Sequence, residues 1–255
     1  MISVQRVYEV VRDLCNKDQQ GFISPNVFNT LARVAQQNIF NEMFTELKLA
    51  TALRASGRDG GRDKSAYKMV EEDLSTFIRT VNINEDGTGI DEGFLVNSDD
   101  EPFIFRRPAD FARLISMNVL DSNTSVEIVY DNEKASRVLN SNLSAPTIDF
   151  PVALEMTDVF QVFPDDTPGV SMRYYRQPRA RNFNSGLLED SFPQFIPLQT
   201  PGADNLLIVD TFQSMNFDLP EHYMNEVISE VLKMIGVRLR DNALATYGVQ
   251  QTTAE

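Results

Sequence analysis

The sequence predicts an α+β fold, with a helical bundle formed by the N- and C-terminal helices and an inserted, mostly antiparallel β domain with long extended loops. Three observations carry that prediction. Of 12 prolines only Pro25 lies in the first hundred residues, and the rest fall between Pro102 and Pro220, so helix interiors are permitted at the two ends and broken in the middle. Both ends carry apolar residues at helical spacing. The middle has short apolar runs between turn residues, the texture of strands. The expected division is 1–80 for an N-terminal helical region, 81–217 for the β-rich insertion with an extended arm, and 218–255 for a C-terminal helix with a frayed tail.

Val4, Val7, Val11 and Leu14 fall on one helical face, and Asn16 to Gly21 supplies a turn. Ser24 is the expected N-cap of a long second helix, with Pro25 at its first position and Phe28, Leu31, Ala35, Ile39, Met43 and Leu47 as its stripe toward Leu53. The stretch 55–64, ASGRDGGRDK, has three glycines and no large apolar residue and reads as a loop. A third helix is expected to turn Tyr67, Val70, Leu74, Phe77 and Ile78 inward.

Strands are expected at Phe103–Phe105, Leu114–Leu120, Val126–Tyr130, Val159–Phe163, Val170–Tyr175 and Leu206–Val209. Alternation of Val126, Ile128 and Tyr130, and of Val170, Met172 and Tyr174, suits antiparallel sheets with one solvated face. Pro178 to Pro201 carries four prolines and no period, so an extended arm is expected there, resting on a neighbour or on the domain surface. A last helix is expected near Asp218, which has capping-box spacing to Glu221. Met224, Val227, Ile228, Val231, Leu232, Ile235 and Leu239 form its apolar face, and the simplest partner is the N-terminal helical pair.

With 23 Lys plus Arg against 37 Asp plus Glu, the chain carries a formal charge of −14. That charge argues against autonomous nucleic-acid binding and against docking on an anionic membrane. One cysteine, Cys15, excludes an intrachain disulfide and multi-cysteine metal sites, and a reducing compartment is its simplest home. No run approaches the roughly 18 apolar residues of a membrane span, and the N-terminus lacks signal-peptide texture.

No catalytic, cofactor-binding or metal-ligating residue is assigned. Asn16, Asp18, Gln20 and Gly21 imitate the start of an EF-hand loop, but its twelfth position is Val27 where a bidentate Glu belongs; Asn82, Asn84, Asp86 and Gly87 fail in the same way at Gly93. His222 is the only histidine. Carboxylate pairs such as Asp99–Asp100 and Asp165–Asp166 are expected by chance among 37 acids. The glycines match neither a phosphate loop nor a dinucleotide fingerprint.

The exception to the acidic character is RYYRQPRAR, where Arg173, Arg176, Arg179 and Arg181 interleave with Tyr174 and Tyr175. Arginine with aromatics suits a subunit or partner interface, and a basic edge meeting an acidic neighbouring copy gives a head-to-tail contact. Arg58 and Arg62 of the glycine-rich loop are assigned to the same role.

Several segments in order resemble a family of phage virion proteins, the neck-ring or head-to-tail connector proteins of podovirus-like and crAss-like phages. They are NKDQQGFISPNVFNTLARVAQQNIFNEMF, ADFARLISMNV, DNEKASRVLNSNLSAPTIDFPV, VFQVFPD with VSMRYYRQPR, and DLPEHYMNEVISEVLKMIGVRLRD. The glycine-rich segment departs from the resemblance. The resemblance implies a non-enzymatic subunit, without cofactor, that assembles with itself in a ring of twelve. Its implied partners are the portal protein, neighbouring neck rings and tail proteins, with DNA passing through the channel without sequence-specific binding. The implied location is the virion neck, after synthesis in the host bacterial cytoplasm. The alternative reading is an exterior virion module that decorates the particle or binds protein or carbohydrate.

Overall fold

Helix α1 (Val4–Lys17) buries Val4, Val7, Tyr8, Val11 and Cys15, the three-and-four spacing that puts them on one face. Helix α2 (Pro25–Ala55) starts where its cap predicts: the Ser24 hydroxyl accepts from Val27 N at 3.4 Å, and its carbonyl accepts from Phe28 N at 3.0 Å. Its inner face is Phe28, Ala32, Ala35, Ile39, Phe40, Met43 and Phe44. The computed structural model describes residues 1–17, 23–55, 63–84, 103–120, 122, 124–130, 136, 138–141, 145–198 and 209–238. Outside them lie the glycine-rich loop with Arg58 and Arg62, Asp86 and Gly87, Gly93, the Asp99–Asp100 pair, most of the expected 206–209 strand, Leu239 and the tail.

Helix α3 (Asp63–Ser75) ends earlier than its apolar stripe suggests. Phe77 N closes a turn onto Leu74 O at 3.0 Å, and Ile78, expected on the helix, instead opens strand β1 (Ile78–Asn84). The reason is local: IRTVNIN alternates apolar with polar residues and is rich in β-branched side chains, so a strand suits it better than another helical turn.

The chain forms two compact units, one of Met1–Asp73 with Pro178–Glu255 and one of Leu74–Gln177. In the second, β1 is followed by β2 (Phe103–Arg106), β3 (Phe111–Val119), β4 (Glu127–Val129), β5 (Val152–Glu155), β6 (Val159–Phe163) and β7 (Gly169–Arg176). They make a three-stranded antiparallel sheet in the order β1-β7-β3 and a four-stranded sheet in the order β2-β6-β5-β4, where only the β4–β5 pairing is parallel. One core lies between the two sheets. Val81, Met117, Val170, Met172 and Tyr174 from the first join Phe103, Phe105, Ala153, Phe160 and Val162 from the second. Phe111 links them, with its ring 5.9 Å from Phe160 and 5.5 Å from Tyr174.

The first unit adds a small antiparallel sheet to its helices: β8 (Ala180–Asn182) between β9 (Leu188–Glu189) and β10 (Met215–Phe217). The fold is therefore α+β. The described residues between 178 and 217, expected with the β-rich insertion, make their contacts in the unit of the helices. Side-chain amides of α2 hold them. Asn29 accepts from Phe195 N at 2.7 Å and donates to Phe195 O at 3.1 Å, while Gln36 accepts from Asp218 N at 2.9 Å and donates to Arg179 O at 2.7 Å. Asn29 and Gln36 stand two helical turns apart, so one helix face acts as a substitute strand for extended chain. Phe195 also stacks on Tyr8 of α1, centroids 4.3 Å apart.

The last helix differs from expectation at its start. Pro220, not Asp218, stands at the N-cap position of a short 3₁₀ turn, Glu221–Tyr223, which carries no side-chain cap, and α4 runs over Met224–Arg238. The carboxylate expected to cap the helix is instead turned inward onto Arg181. Helix α4 buries Val227, Val231, Leu232 and Ile235 and packs against both α1 and α2, each such side chain contributing about 1.5–3 kcal/mol of burial. Among the described residues, no helix is long and apolar enough to cross a membrane.

Candidate interaction surface

Strand β7 sorts the first half of the arginine run by its two-residue period. Met172, Tyr174 and Arg176 turn to the buried side, and Arg173 and Tyr175 to the other. Tyr174, assigned to an interface, is buried, and its hydroxyl donates to Asp110 Oδ1 at 2.8 Å. Arg176 is also buried: its guanidinium lies 5.3 Å over the Phe77 ring and donates to the Gln177 and Thr76 carbonyls at 3.3 and 3.4 Å. These two residues hold their own unit together, because an arginine or phenol buried in the chain needs its partners there. Arg173 is exposed and Tyr175 half-buried.

Arg179 and Arg181 belong to the other unit. Arg179 Nη1 lies 2.7 Å from Asp190, whose side chain is exposed, a bridge of small energetic weight. Arg181 Nε donates to Asp218 Oδ1 at 2.7 Å, and its Nη1 to Gly186 O at 3.3 Å. Asp218 is fully buried, so this pair is a bolt between β8 and the chain leaving β10. Asp110 plays the same part in the β unit, accepting from Tyr174 and, at 3.0 Å, from Arg79 Nη1. The buried carboxylates are thus held by arginines of their own unit.

His222 faces Asp73, with its Nε2 at 3.1 Å from Oδ2, and the Tyr223 hydroxyl donates to the same oxygen at 3.1 Å. Burial raises the Tyr223 pKa above its ordinary value near 10, and the Asp73 charge and hydrogen bond, with Glu226 and Glu46, push the same way. The phenol therefore stays protonated and Asp73 is a shared acceptor. Among the described residues no hydroxyl or thiol nucleophile is hydrogen-bonded to the imidazole, the partnership that nucleophilic catalysis uses.

The sequence did not single out a feature that the structure makes plain: large apolar side chains presented on braced turns. Phe212 is 84% exposed. Its turn is locked by Asp210 Oδ1, which accepts from Phe212 N at 2.9 Å and Gln213 N at 3.3 Å, and by Asn184, which donates to Thr211 O at 3.0 Å. Asn184 belongs to the β8–β9 turn, where Asn182 Oδ1 accepts from Asn184 N and Ser185 N, and Gly186 takes a φ of +67° that suits glycine. Exposed Leu187 follows it, and half-exposed Met1 approaches to 3.8 Å from where a Cβ on Gly186 would stand. In the β unit, Phe150 is 78% exposed on the Thr147–Phe150 turn, closed by reciprocal backbone bonds. The only sequence signal is negative, an apolar residue inside a turn-forming stretch such as DTFQ or TIDF.

No protein-family model matches the chain. No curated protein matches it either. Polar groups inside serve the fold, and large apolar side chains stand exposed on hydrogen-bonded turns.

Proposed function

We propose that this protein is a structural subunit of an oligomeric ring in the phage neck, connecting portal and tail and lining the DNA channel. The observation that carries this reading is the apolar group at Phe212, Leu187 and Met1, held exposed on hydrogen-bonded turns. Large apolar side chains fixed in water are costly for a lone monomer and mark a surface that another molecule covers. In this reading the helices of both chain ends form a bundle that carries the ring packing, and the inserted β domain faces the next component. The protein acts without enzymatic chemistry or cofactor. An overall charge of −14 suits a channel wall, because DNA slides past a surface that offers few phosphate contacts.

The test is the mass of the full chain by native mass spectrometry or light scattering, alone and after mixing with the portal ring of the same genome. A gain of one copy per portal subunit supports the assignment. A chain that stays monomeric, ignores the portal and occurs in hundreds of copies per particle refutes it in favour of an exterior decoration module.

A further inference from the structure

Gln194, Phe195 and Ile196 lie outside every helix and strand of the fold, yet all six of their main-chain N–H and C=O groups are bonded within the first unit. Gln194 N donates to Met215 O at 3.0 Å and its carbonyl accepts from Met215 N at 2.8 Å, which adds one more pairing to the edge of β10 away from β8. Phe195 turns the other way, where the two ends of the Asn29 amide hold its N–H and its carbonyl. Ile196 returns to the first side: the buried Ser214 hydroxyl accepts from its N–H at 3.0 Å, and Asp210 N donates to its carbonyl at 2.8 Å. That alternation is the habit of a strand.

Bonds of this kind read main chain, and side chains add the selectivity. Phe195, 1% exposed, stacks on Tyr8, whose ring stands edge-on to Phe28. Gln194 Nε2 donates to Gln213 O at 3.1 Å, and the Arg33 guanidinium lies 3.5 Å over the Phe192 ring. Pro193 and Pro197 stand two residues to either side of Phe195. They have no N–H to satisfy, and their fixed φ stiffens the run before it docks, so less freedom is lost on docking. A sheet edge, an amide clasp and an aromatic pocket are the parts of a strand-addition peptide site, filled here by the chain's own proline-flanked phenylalanine.

We propose that this seat, between β10 and helices α1 and α2, takes the Phe192–Pro197 segment of a second copy of this chain, so that neighbouring copies exchange strands. Fit selects the occupant: the seat already matches this segment in every main-chain bond from Gln194 to Ile196, and every copy carries both the seat and the segment. Exchange replaces each contact by an identical one, which makes it a low-cost route to association. A tethered segment competes at an effective concentration of about millimolar, so free copies keep their own segment and exchange belongs to copies held side by side. The contact joins two different surfaces, so it passes from copy to copy and closes into a ring where the rotation permits. It rests on the ring reading for that setting alone, and there it is the lateral joint.

The experiment uses the full chain as wild type, Phe195→Ala and Asn29→Ala, with folding checked by far-UV circular dichroism, and a synthetic peptide of residues 190–198, DSFPQFIPL. Where Phe195→Ala does not fold, Phe195→Leu takes its place. By fluorescence anisotropy the peptide should bind the Phe195→Ala chain about a hundredfold more tightly than wild type, whose own segment competes. The same peptide carrying Phe195→Ala should bind that chain about a hundredfold more weakly, the loss of one buried ring. Phe195→Ala and Asn29→Ala chains, when mixed, should form one-to-one pairs by native mass spectrometry that neither forms alone, since one supplies an intact seat and the other an intact segment. A folded Phe195→Ala chain that ignores the peptide overturns the seat and leaves the ring reading standing. Peptide binding without pairing of the two chains overturns the second copy as occupant, in favour of a foreign peptide. Pairing of the two chains, with a wild type that ignores the portal ring, supports the exchange and refutes the ring.

Discussion

Replacing Asp218 by Ala removes the acceptor of two hydrogen bonds, from Arg181 Nε at 2.7 Å and from Arg179 N at 3.4 Å, in a side chain with no solvent exposure. Breaking a buried pair from one side costs about 3–5 kcal/mol, because the remaining charge is left without its partner. Arg181 keeps 27% of its side chain in contact with solvent, so water relieves part of that penalty and about 3 kcal/mol is expected. Asp218→Asn keeps the shape and one acceptor oxygen and should cost about 1–2 kcal/mol, the charge assistance alone. The double change Arg181→Met/Asp218→Leu removes both charges and should return to near wild-type stability. The chain has no tryptophan, so far-UV circular dichroism in urea is the assay. Two compact units predict separable transitions, and only that of the unit holding Asp218 should move, by about 6–12 °C in a thermal scan for Asp218→Ala. The reasoning is refuted if Asp218→Ala stays within about 0.5 kcal/mol of wild type, or if the double variant is as unstable as the alanine variant.

Asn29→Ala leaves Phe195 N–H and C=O without their side-chain partner and should cost about 2 kcal/mol in the same unit by urea unfolding. Tyr223 has its folded-state pKa raised above the ordinary value near 10, so above pH 10 the unfolded chain loses a proton that the folded chain keeps. Stability is then unaffected below pH 10 and falls above it by up to about 1.4 kcal/mol per pH unit, a slope that Tyr223→Phe should reduce in denaturation curves between pH 8 and 11. Phe212→Ser should leave the unfolding midpoint within about 0.5 kcal/mol, since the ring is already in water, yet weaken binding to the portal ring in a pull-down.

The helices were legible because their signal is local. Ser24 and Pro25 mark the start of α2, and the apolar stripe of α4 is visible without knowing what it packs on. The small sheet of the first unit was not legible, for a physical reason. Strands β8, β9 and β10 have three, two and three residues, too few to show a period, and extended chain there is held by amides on α2 more than 140 residues away in sequence. Asp218 illustrates the same limit. Its spacing to Glu221 satisfies the capping rule, but Arg181 competes for the carboxylate from a distance that local pattern cannot weigh. At β1 two local readings competed, since Phe77 and Ile78 continue the stripe of α3 while Ile78 to Asn84 alternate as a strand; pairing of all seven residues with β7 decides it.

The arginine run shows what composition sees and what it leaves unsorted. RYYRQPRAR announces positive charge, but its members divide among three fates that depend on strand parity and on distant carboxylates. Arg176 is drawn to the buried side of β7, Arg179 and Arg181 meet Asp190 and Asp218, and Arg173 with Tyr175 stands on the outer sheet face. The parity was already present in VSMRYYR, where the apolar Met172 fixes which side is inner. Net charge misleads in the same way. A sum of −14 gives no hint that β1, β3 and β7 carry no Asp or Glu at all.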